Sequence, residues 1–375
     1  MNISQVRQSY ENLVNRNVIF SYIVKTFLDI FFFSIRKINK LFTNDEGNVV
    51  VIALHRLGDT IFTIPAIREI QKFYKKKVII VCFPESVPIY NLAFNNIEYC
   101  TVEKEDFLLG IRIAKLKVRK KINSCKPQII IDLIGGMSSA SIIFTSRAKV
   151  IVGMNKDFFK GIYDKFTNIR ENPQLIDIYL DAISTDIQLQ DRTELKKLPE
   201  SYNRDGIILI HPFAGWKEKE WNLLKFIKLA EKLINNYHVG LITPAGQLSS
   251  DIISEIKSKH IEVIQTSSIE ELIQNINECS IFIGNDSGPV NIANFIGRPT
   301  FTIYGATNPE FTASLSDHQK YIQKVLNCSA RHGEKFCIIE GAIYSCQGIQ
   351  CMNYLTLDKV YDSLIPLIGK YCKRR

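Results

Sequence analysis

Short apolar runs alternate with segments of helical spacing along most of the chain, and this alternation restricts the fold more than any other feature. The strand-like runs of the first half are NVVVIAL (48–54), KVIIVCF, PQIIIDLIG (127–135) and KVIVGM (149–154). After a polar segment the alternation begins again at GIILIHP and continues to PTFTIYG. Short runs that are apolar throughout and separated by helices are typical of parallel sheets covered on both faces. The sequence therefore predicts an α/β protein with two Rossmann-like, doubly wound domains.

The length and the position of the polar segment predict how these domains are arranged along the chain. A chain of 375 residues is too long for one ordinary core, and the charged segment from Asp186 to Arg204 has the composition of a linker. Doubly wound sheets bind ligands beyond the carboxyl ends of their strands, so we expect the two domains to face a shared cleft. The predicted parts are a helical extension (1–46), an N-terminal domain (47–190), a C-terminal domain (205–350) and a C-terminal helix packing back toward the N-terminal domain (351–375).

Residues 18–36, VIFSYIVKTFLDIFFFSIR, are apolar on nearly all sides but contain Lys25 and Asp29. A membrane-spanning helix needs about 20 largely uncharged residues, so this segment is not predicted to span. Two interpretations stay open for it. It is either an interfacial helix with its aromatic side chains among lipid headgroups or a helix that packs on the first domain.

The net charge of +9 is concentrated in three clusters, KFYKKK, KLKVRKK and the terminal KYCKRR. These are either solvated helix faces or surfaces attracted to an anionic membrane or to phosphorylated substrates. No nucleic acid is expected as a partner, because the clusters lack interleaved aromatic residues and no reader motif is present.

Several kinds of site are disfavoured by the sequence. No GxGxxG follows the first strand, no GxxxxGK[ST] is present, and no DxD pair could hold a metal on a nucleotide sugar. We therefore predict no resident cofactor and no metal. Nine scattered cysteines and no signal peptide at the start of the chain predict a reducing, cytoplasmic location. One alternative stays open: Cys328, Cys337, Cys346 and Cys351 are dense enough for a metal but contain no CxxC pair.

The segment IGNDSGPVNIANFIGRP (283–299) follows an apolar strand and has the composition of a turn that begins a helix. Asn285, Asp286 and Ser287 are suitable N-cap residues, Pro289 suits the first helical position, and Gly297 would end the helix. Free N–H groups at such a helix start can bind phosphate. The alternative is that the turn only caps the helix.

Two other strand ends carry polar residues. In HPFAGWKEKEW (211–221), Lys219 lies near a helix start, where it could pair with phosphate oxygens. The alternative is that the lysines are solvated and Trp216 simply packs. In LHRLGDTIFTIPAI (54–67), Gly58 predicts a tight turn and Asp59 lies at the start of the next helix. Asp59 is either an N-cap carboxylate or a general base for an acceptor hydroxyl.

Taken in their order along the chain, the three segments resemble glycosyltransferase family 9, the bacterial ADP-heptose:lipopolysaccharide heptosyltransferases. The resemblance covers roughly residues 47–368. The first match is Gly58-Asp59 followed by TIPAIREI. The second is His211-Pro212 followed by Trp216, Lys219 and Trp221. The third is Asp286-Ser287-Gly288 followed by RPTFTIYGATNP (298–309).

The resemblance implies a GT-B fold, with the acceptor on the N-terminal domain and a nucleotide-diphosphate sugar, ADP-linked, on the C-terminal domain. It implies inverting transfer without a metal. Asp59 would accept the proton of the acceptor hydroxyl, and Lys219 would stabilise the leaving diphosphate together with N–H groups near Ser287 and Gly288. The other donor-site residues would be His211, Trp216, Asp251 (on the ribose), Asp286, Asn291 and Thr307.

The chain departs from the family pattern at Asn291, where the family usually has a histidine, at Gly215 and in its N-terminal extension. Asn291 can donate a hydrogen bond but carries no positive charge. The expected reaction moves heptose or a similar sugar to a lipopolysaccharide core or other glycan or glycolipid acceptor, by a peripheral enzyme on the cytoplasmic face of the inner membrane. The alternatives are an epimerase or hydrolase on the same fold, or a non-catalytic nucleotide-sugar-binding subunit, which Asn291 would favour.

Overall fold

The computed structural model describes residues 18–43, 46–154, 159–167, 170–171, 174–185, 187, 202–313, 316–341, 346 and 348–375. The chain divides into two compact units between Arg192 and Thr193. This division falls within the predicted linker, Asp186 to Arg204, most of which lies outside the described residues.

The first unit is built around a parallel sheet. Its strands are β1 (Asn48–Ile52), β2 (Val78–Cys82), β3 (Glu98–Thr101), β4 (Phe107–Leu108), β5 (Ile113–Ala114), β6 (Pro127–Asp132), β7 (Val150–Met154) and β8 (Lys165–Thr167). Its helices are α1 (Val18–Lys40), α2 (Leu57–Phe73), α3 (Val87–Asn91), α4 (Leu116–Ser124), α5 (Met137–Ile143) and α6 (Leu175–Ile183). Six strands pair in parallel in the order β3-β2-β1-β6-β7-β8, and β4 pairs with β5 antiparallel. The strand order reverses at β1, so the loops after β1 and β6 flank the switch point where such sheets bind ligands.

The second unit repeats this topology. Its strands are β9 (Ile208–His211), β10 (Val239–Pro244), β11 (Glu262–Thr266), β12 (Ile281–Asn285), β13 (Thr300–Tyr304) and β14 (Gln319–Gln323). Its helices are α7 (Leu223–Ile234), α8 (Ser250–Ser258), α9 (Ile269–Glu278), α10 (Gly288–Ile296), α11 (Pro309–Thr312), α12 (Ile338–Gly341), α13 (Gln350–Asn353) and α14 (Leu357–Tyr371). The parallel sheet has the order β11-β10-β9-β12-β13-β14, and its switch point lies between β9 and β12. The prediction of two Rossmann-like domains is confirmed.

Helix α2 begins six residues before the predicted helical segment at 63–74. Gly58, predicted to form a tight turn, lies instead in the first turn of the helix, and Pro65 lies inside the helix. A proline removes one backbone donor and normally ends a helix. Here Ile61, Ile64 and Ile67 are buried along one face, and this burial offsets the missing hydrogen bond.

The C-terminal helix α14 packs on the core of the second unit, and the prediction that it also packs back toward the N-terminal domain stays a prediction. Its buried side chains Val360, Leu364 and Ile368 recur every four residues and belong to the core of the second unit, together with Phe226 of α7. The sequence predicted a helix here but could not show which core its apolar face joins.

Helix α1 packs one face on the first unit. Phe32 contacts Phe159 and Phe144 edge to face, with ring centroids 5.7 and 6.0 Å apart, and Arg36 forms an ion pair with Asp164. Gly161 lies against the helix backbone, where an added Cβ would approach the Asp29 carbonyl oxygen to 2.0 Å. Among the described residues no helix is long and apolar enough to cross a membrane. Residues 1–17 of the predicted extension lie outside the described residues.

Candidate functional site

The candidate site of the second unit lies at the carboxyl ends of β9 and β12, which are neighbours in the sheet. Gly284 of β12 pairs with His211 of β9. A Cβ at Gly284 would lie 2.9 Å from the His211 carbonyl oxygen and 3.0 Å from Val290 Cγ2, so only glycine lets the two strand ends and α10 approach so closely. The two loops that leave this point carry two of the three segments selected in the sequence.

Asn285 joins these loops. It is fully buried. Its Nδ2 donates to the Pro212 carbonyl oxygen at 2.7 Å, and its Oδ1 accepts from the Trp221 backbone N–H at 2.9 Å. The Glu220 carboxylate closes the same loop by accepting from the Ala214 N–H at 3.0 Å. These bonds fix the 212–221 loop against the end of β12, where the sequence indicated for Asn285 only a cap residue.

Asp286 brings two donors together at this edge. It is 3% exposed, and its Oδ2 accepts from Lys219 Nζ at 2.6 Å and from Thr307 Oγ1 at 2.7 Å. Lys219 ends a 3-10 turn, Lys217–Lys219, and Thr307 follows β13. Lys219 and Thr307, which follow two different strands, therefore meet at one carboxylate oxygen of Asp286, which follows a third strand.

The Lys219 ammonium also lies over an aromatic ring. Its Nζ is 4.9 Å from the Trp216 ring centroid, a cation–π distance. Trp216 in turn meets Phe336 edge to face at 5.5 Å. Phe336 is held there by a bridge to Thr307. No local pattern pointed to Phe336, because it belongs to a loop far along the chain from Trp216.

The start of α10 presents an unused hydroxyl. Ser287 is the N-cap residue, and Pro289 lies in the first turn, one place later than predicted. Ser287 Oγ is buried and forms no hydrogen bond with any described residue, although an N-cap serine normally accepts one from its own helix. Gly297 ends the helix in the left-handed conformation at φ 87°, as predicted. A buried hydroxyl and the N–H groups of a first helical turn are groups that can bind an anion.

Asn291 lies one turn further along α10. Its backbone N–H donates to the Ser287 carbonyl oxygen at 3.1 Å, so the two side chains share a helix face. It is 7% exposed. An amide at this place can donate to or accept from a ligand, but it brings no charge.

His211 lies inside the unit rather than at its surface. The imidazole stacks on Phe282 at 6.4 Å and meets Phe213 edge to face at 6.0 Å. Burial lowers the pKa of His211 to about 4. The ring is therefore neutral at physiological pH, and it packs against Phe213 of the loop that follows β9.

Asp251 stands apart from this group. It is exposed in the first turn of α8, which follows β10. No contact described in the structure joins it to Lys219, Asp286 or Thr307. Its predicted role on a ribose stays a prediction.

The candidate base of the first unit lies after β1. Asp59 is half-buried in the first turn of α2. Burial and, after it, the nearby charge of Asp59 raise the pKa of Tyr179 well above its ordinary value. The Tyr179 hydroxyl lies 3.4 Å from His55 Nδ1. His55 after β1 and Asp59 at the start of α2 thus lie near the Tyr179 phenol of α6.

The other loop at this switch point follows β6 and is ordered by a buried carboxyl group. Asp132 Oδ1 accepts from the Ile134 N–H at 2.8 Å, and Oδ2 accepts from the Tyr163 hydroxyl at 2.7 Å. Burial raises the pKa of Asp132. Because its oxygens are already used inside the protein, Asp132 shapes the loop.

A metal centre is not visible in the described part of the chain, where no three His, Cys, Asp or Glu side chains are arranged to hold an ion. Cys328, Cys346 and Cys351 are free thiols, and Cys337 is buried.

Comparison with known proteins gives consistent matches. The family model "Glycosyltransferase family 9 (heptosyltransferase)" matches residues 115–340. Lipopolysaccharide heptosyltransferase 1 of Campylobacter coli is 25% identical over 330 residues, which cover 77% of this chain and 94% of that protein.

Two solved structures are similar in fold. The E. coli ADP-heptose lipopolysaccharide heptosyltransferase II has a TM-score of 0.65 at 17% identity, covering 86% of this chain and 99% of that one. The E. coli heptosyltransferase WaaC with ADP-2-deoxy-2-fluoro heptose has a TM-score of 0.63 at 16% identity, covering 85% and 99%. These similarities confirm the predicted GT-B class.

Proposed function

The chain belongs to glycosyltransferase family 9, and on this premise we propose that it moves heptose or a similar sugar from an ADP-linked donor to a lipopolysaccharide core or another surface glycan. The family makes the chain a glycosyltransferase. The names of its relatives support heptose and lipopolysaccharide, since the Campylobacter coli relative is a lipopolysaccharide heptosyltransferase and WaaC was solved with an ADP-heptose analogue.

The observation that carries the proposal is the set of donors around Asp286. Lys219 and Thr307 are held by its carboxylate, and the Ser287 hydroxyl beside them is buried without a partner. A diphosphate supplies acceptor oxygens for the Lys219 ammonium, the Ser287 hydroxyl and the N–H groups at the start of α10. Asp286 itself would repel a phosphate, so we assign it the role of orienting Lys219 and Thr307.

The chemical step requires stabilisation of the leaving group. An acceptor oxygen attacks the anomeric carbon of the donor, the bond from that carbon to the diphosphate breaks, and the configuration inverts. Negative charge develops on the departing nucleoside diphosphate. In this proposal Lys219 and the N–H groups at the start of α10 stabilise that charge, and preorganised donors of this kind are the most effective form of electrostatic stabilisation. We propose that these groups replace a metal ion in this role.

Asp59 is the proposed general base. A half-buried carboxylate at the switch point of the first unit can accept the proton of the acceptor hydroxyl as it attacks. Asp59 lies close enough to the buried phenol of Tyr179 for its charge to raise the pKa of that phenol.

Substitution of Asp59 tests the base. We expect Asp59→Asn to reduce transfer from ADP-heptose by about 100- to 10,000-fold, while ADP binding measured by calorimetry changes by no more than a few fold. Asp205→Asn is a matched control, because Asp205 is an exposed carboxylate far along the sequence in the second unit. Unchanged turnover of the Asp59→Asn variant would exclude Asp59 as the base.

The acceptor is tested separately. A strain lacking this protein should accumulate a surface glycan shortened by the transferred sugar, which mass spectrometry detects. We place the enzyme at the cytoplasmic face of the inner membrane, as a peripheral protein close to a lipid-linked acceptor.

A further inference from the structure

Helix α1 has two apolar faces, of which the first unit covers one. Leu28 and Phe32 pack on the core of the first unit. Arg36 is buried and forms an ion pair with Asp164. These residues recur every four positions, so they define the inward side of the helix. The opposite side is left without a covering element among the described residues.

The uncovered side carries a concentration of large apolar side chains. Phe27 is 70% exposed and Leu41, just after the helix, is 78% exposed. The exposed apolar residues of this segment, here called the α1 surface, are Tyr22, Ile23, Phe27, Ile30, Phe31, Phe33, Ile38, Leu41 and Phe42. A contiguous apolar patch on a folded domain normally marks an interaction site.

The carboxylates near the α1 surface face the protein, whereas a lysine is exposed to solvent. Asp29 is half-buried against the Gly161 N–H, and Asp164 is paired with both Arg36 and Lys40. Lys37 is exposed and lies over the Phe33 ring at 4.8 Å. Thus the carboxylates are turned inward and a cation accompanies the aromatic residues outward.

Basic residues of neighbouring elements extend this pattern. Arg147 lies over Phe42 with 5.6 Å between its guanidinium carbon and the ring centroid. Lys160 lies 5.8 Å from the centroid of Phe166, which is itself exposed. Lys160 belongs to the turn that contacts α1, and Arg147 reaches Phe42 of the α1 surface, so both cations lie close to the α1 segment.

We propose that the α1 surface binds an anionic membrane, with α1 lying in the plane of the lipid–water interface. Its Phe and Ile side chains enter the headgroup and upper acyl region, and Lys37, Arg147 and Lys160 contact lipid phosphates. Aromatic and aliphatic residues with flanking cations are the composition of such interfacial helices. The cationic border favours an anionic lipid over a second copy of the same surface, because two copies would bring like charges together.

This inference goes beyond the proposed reaction. It depends on that proposal only in that a lipid-linked acceptor lies in the same membrane. The two are therefore tested with different readouts, vesicle binding for the surface and sugar transfer for the enzyme.

Vesicle flotation with the full chain tests the surface. We expect the protein to float with vesicles of phosphatidylethanolamine and phosphatidylglycerol, and to bind pure phosphatidylcholine vesicles about tenfold more weakly. The double variant Phe27→Glu/Ile30→Glu should lose about tenfold or more of the binding to the anionic vesicles. Leu224→Glu is the matched control, since Leu224 is exposed to a similar degree in the second unit, and it should float like the wild type.

Insertion depth gives a second readout. Tryptophan fluorescence of Phe27→Trp should be quenched by lipids brominated high on the acyl chain, whereas that of Tyr354→Trp, an exposed site in the second unit, should not. Equal quenching of both variants would contradict the assigned surface.

Three results would overturn the proposal. The wild type could remain in solution with anionic vesicles, the double variant could float as well as the wild type, or the double variant could only convert a dimer to a monomer in light scattering. Transfer to a water-soluble acceptor sugar separates the two proposals. The double variant should retain this transfer. If the wild type itself shows no transfer, the result counts against the proposed enzyme activity and not against the α1 surface.

Discussion

At the residue scale, Asp286 explains how a negative side chain can belong to a site for a negative ligand. Its Oδ2 accepts hydrogen bonds from Lys219 Nζ and Thr307 Oγ1. The negative charge is therefore paired with donors within the protein. A buried carboxylate with two such bonds restricts the lysine to one position. The preorganised ammonium can then meet a phosphate without losing further side-chain entropy.

A double-mutant cycle tests this role of Asp286. We expect Lys219→Met to weaken ADP binding by about 10- to 100-fold, the range for a lost hydrogen bond to a charged group, and to leave adenosine binding nearly unchanged. Asp286→Asn should weaken ADP binding in the wild type but have much less effect in the Lys219→Met background. Calorimetry of the four proteins gives the coupling, and additive losses would show that Asp286 does not act through Lys219.

His211 also acts at the residue scale, through its protonation. The folded protein keeps the pKa of this imidazole at about 4, below the ordinary value of 6.5. Between these values the unfolded chain takes up a proton that the folded chain does not. The free energy of unfolding therefore falls as the pH falls from about 6.5 to about 4, and the full contribution is present above about 6.5.

His211→Gln should remove this part of the pH dependence. Below pH 6.5 the wild type should lose up to about 1.4 kcal/mol per pH unit more than the variant. Urea unfolding at pH 7 and pH 5 measures the change in the free energy of unfolding for each protein. The titration of the carboxylates is common to both proteins and cancels in the comparison. Parallel pH profiles would mean that folding does not lower the pKa of His211.

At the element scale, α10 is a helix whose N-cap side chain does not cap. Ser287 Oγ is left without a partner, whereas Ser268 at the start of α9 accepts from the Glu271 N–H at 3.2 Å. Two N-cap serines in one unit thus have different hydrogen bonding. The unused hydroxyl of Ser287 is available to a ligand.

Alanine substitutions at these two caps should separate stability from binding. Ser287→Ala should leave the free energy of unfolding nearly unchanged and weaken ADP binding about tenfold. Ser268→Ala should cost about 1 kcal/mol of stability and leave ADP binding unchanged. Chemical denaturation and calorimetry measure the two effects. A stability loss at Ser287 equal to that at Ser268 would mean that Ser287 is an ordinary cap.

At the scale of the whole molecule, the two units have the same strand order but different sites. Each unit has its own hydrophobic core, and the candidate phosphate donors, Lys219 to Thr307, belong to the second unit alone. A nucleotide without the acceptor should therefore stabilise chiefly the second unit.

Amide hydrogen exchange measures this division. At an ADP concentration about 100 times the Kd, the binding contributes about 2.7 kcal/mol. We expect slower exchange at the ends of β9 and β12 and in α10, and little change in β1 and β6. Equal slowing in both sheets would show that the nucleotide alone also stabilises the first unit.

The sequence determined the architecture because its signals are local. Apolar strand runs and helical spacing predicted both sheets, and turn residues such as Gly297 predicted helix ends. Burial of apolar side chains is the main stabilising term of folding, so a periodic apolar pattern is sufficient to assign strands and helices. The ordered motifs with Asp59, Lys219 and Asp286 predicted the family by resemblance, and such motifs are also local runs of residues.

Only the tertiary structure decided which distant groups meet. It placed Thr307 on Asp286, brought Phe336 to Trp216, buried His211 as a neutral ring and joined α14 to the second core. It also showed that α1 covers the first unit with one face and leaves the other exposed. Such pairings depend on the register and crossing of elements far apart in the chain, and no local pattern of residues encodes those distances.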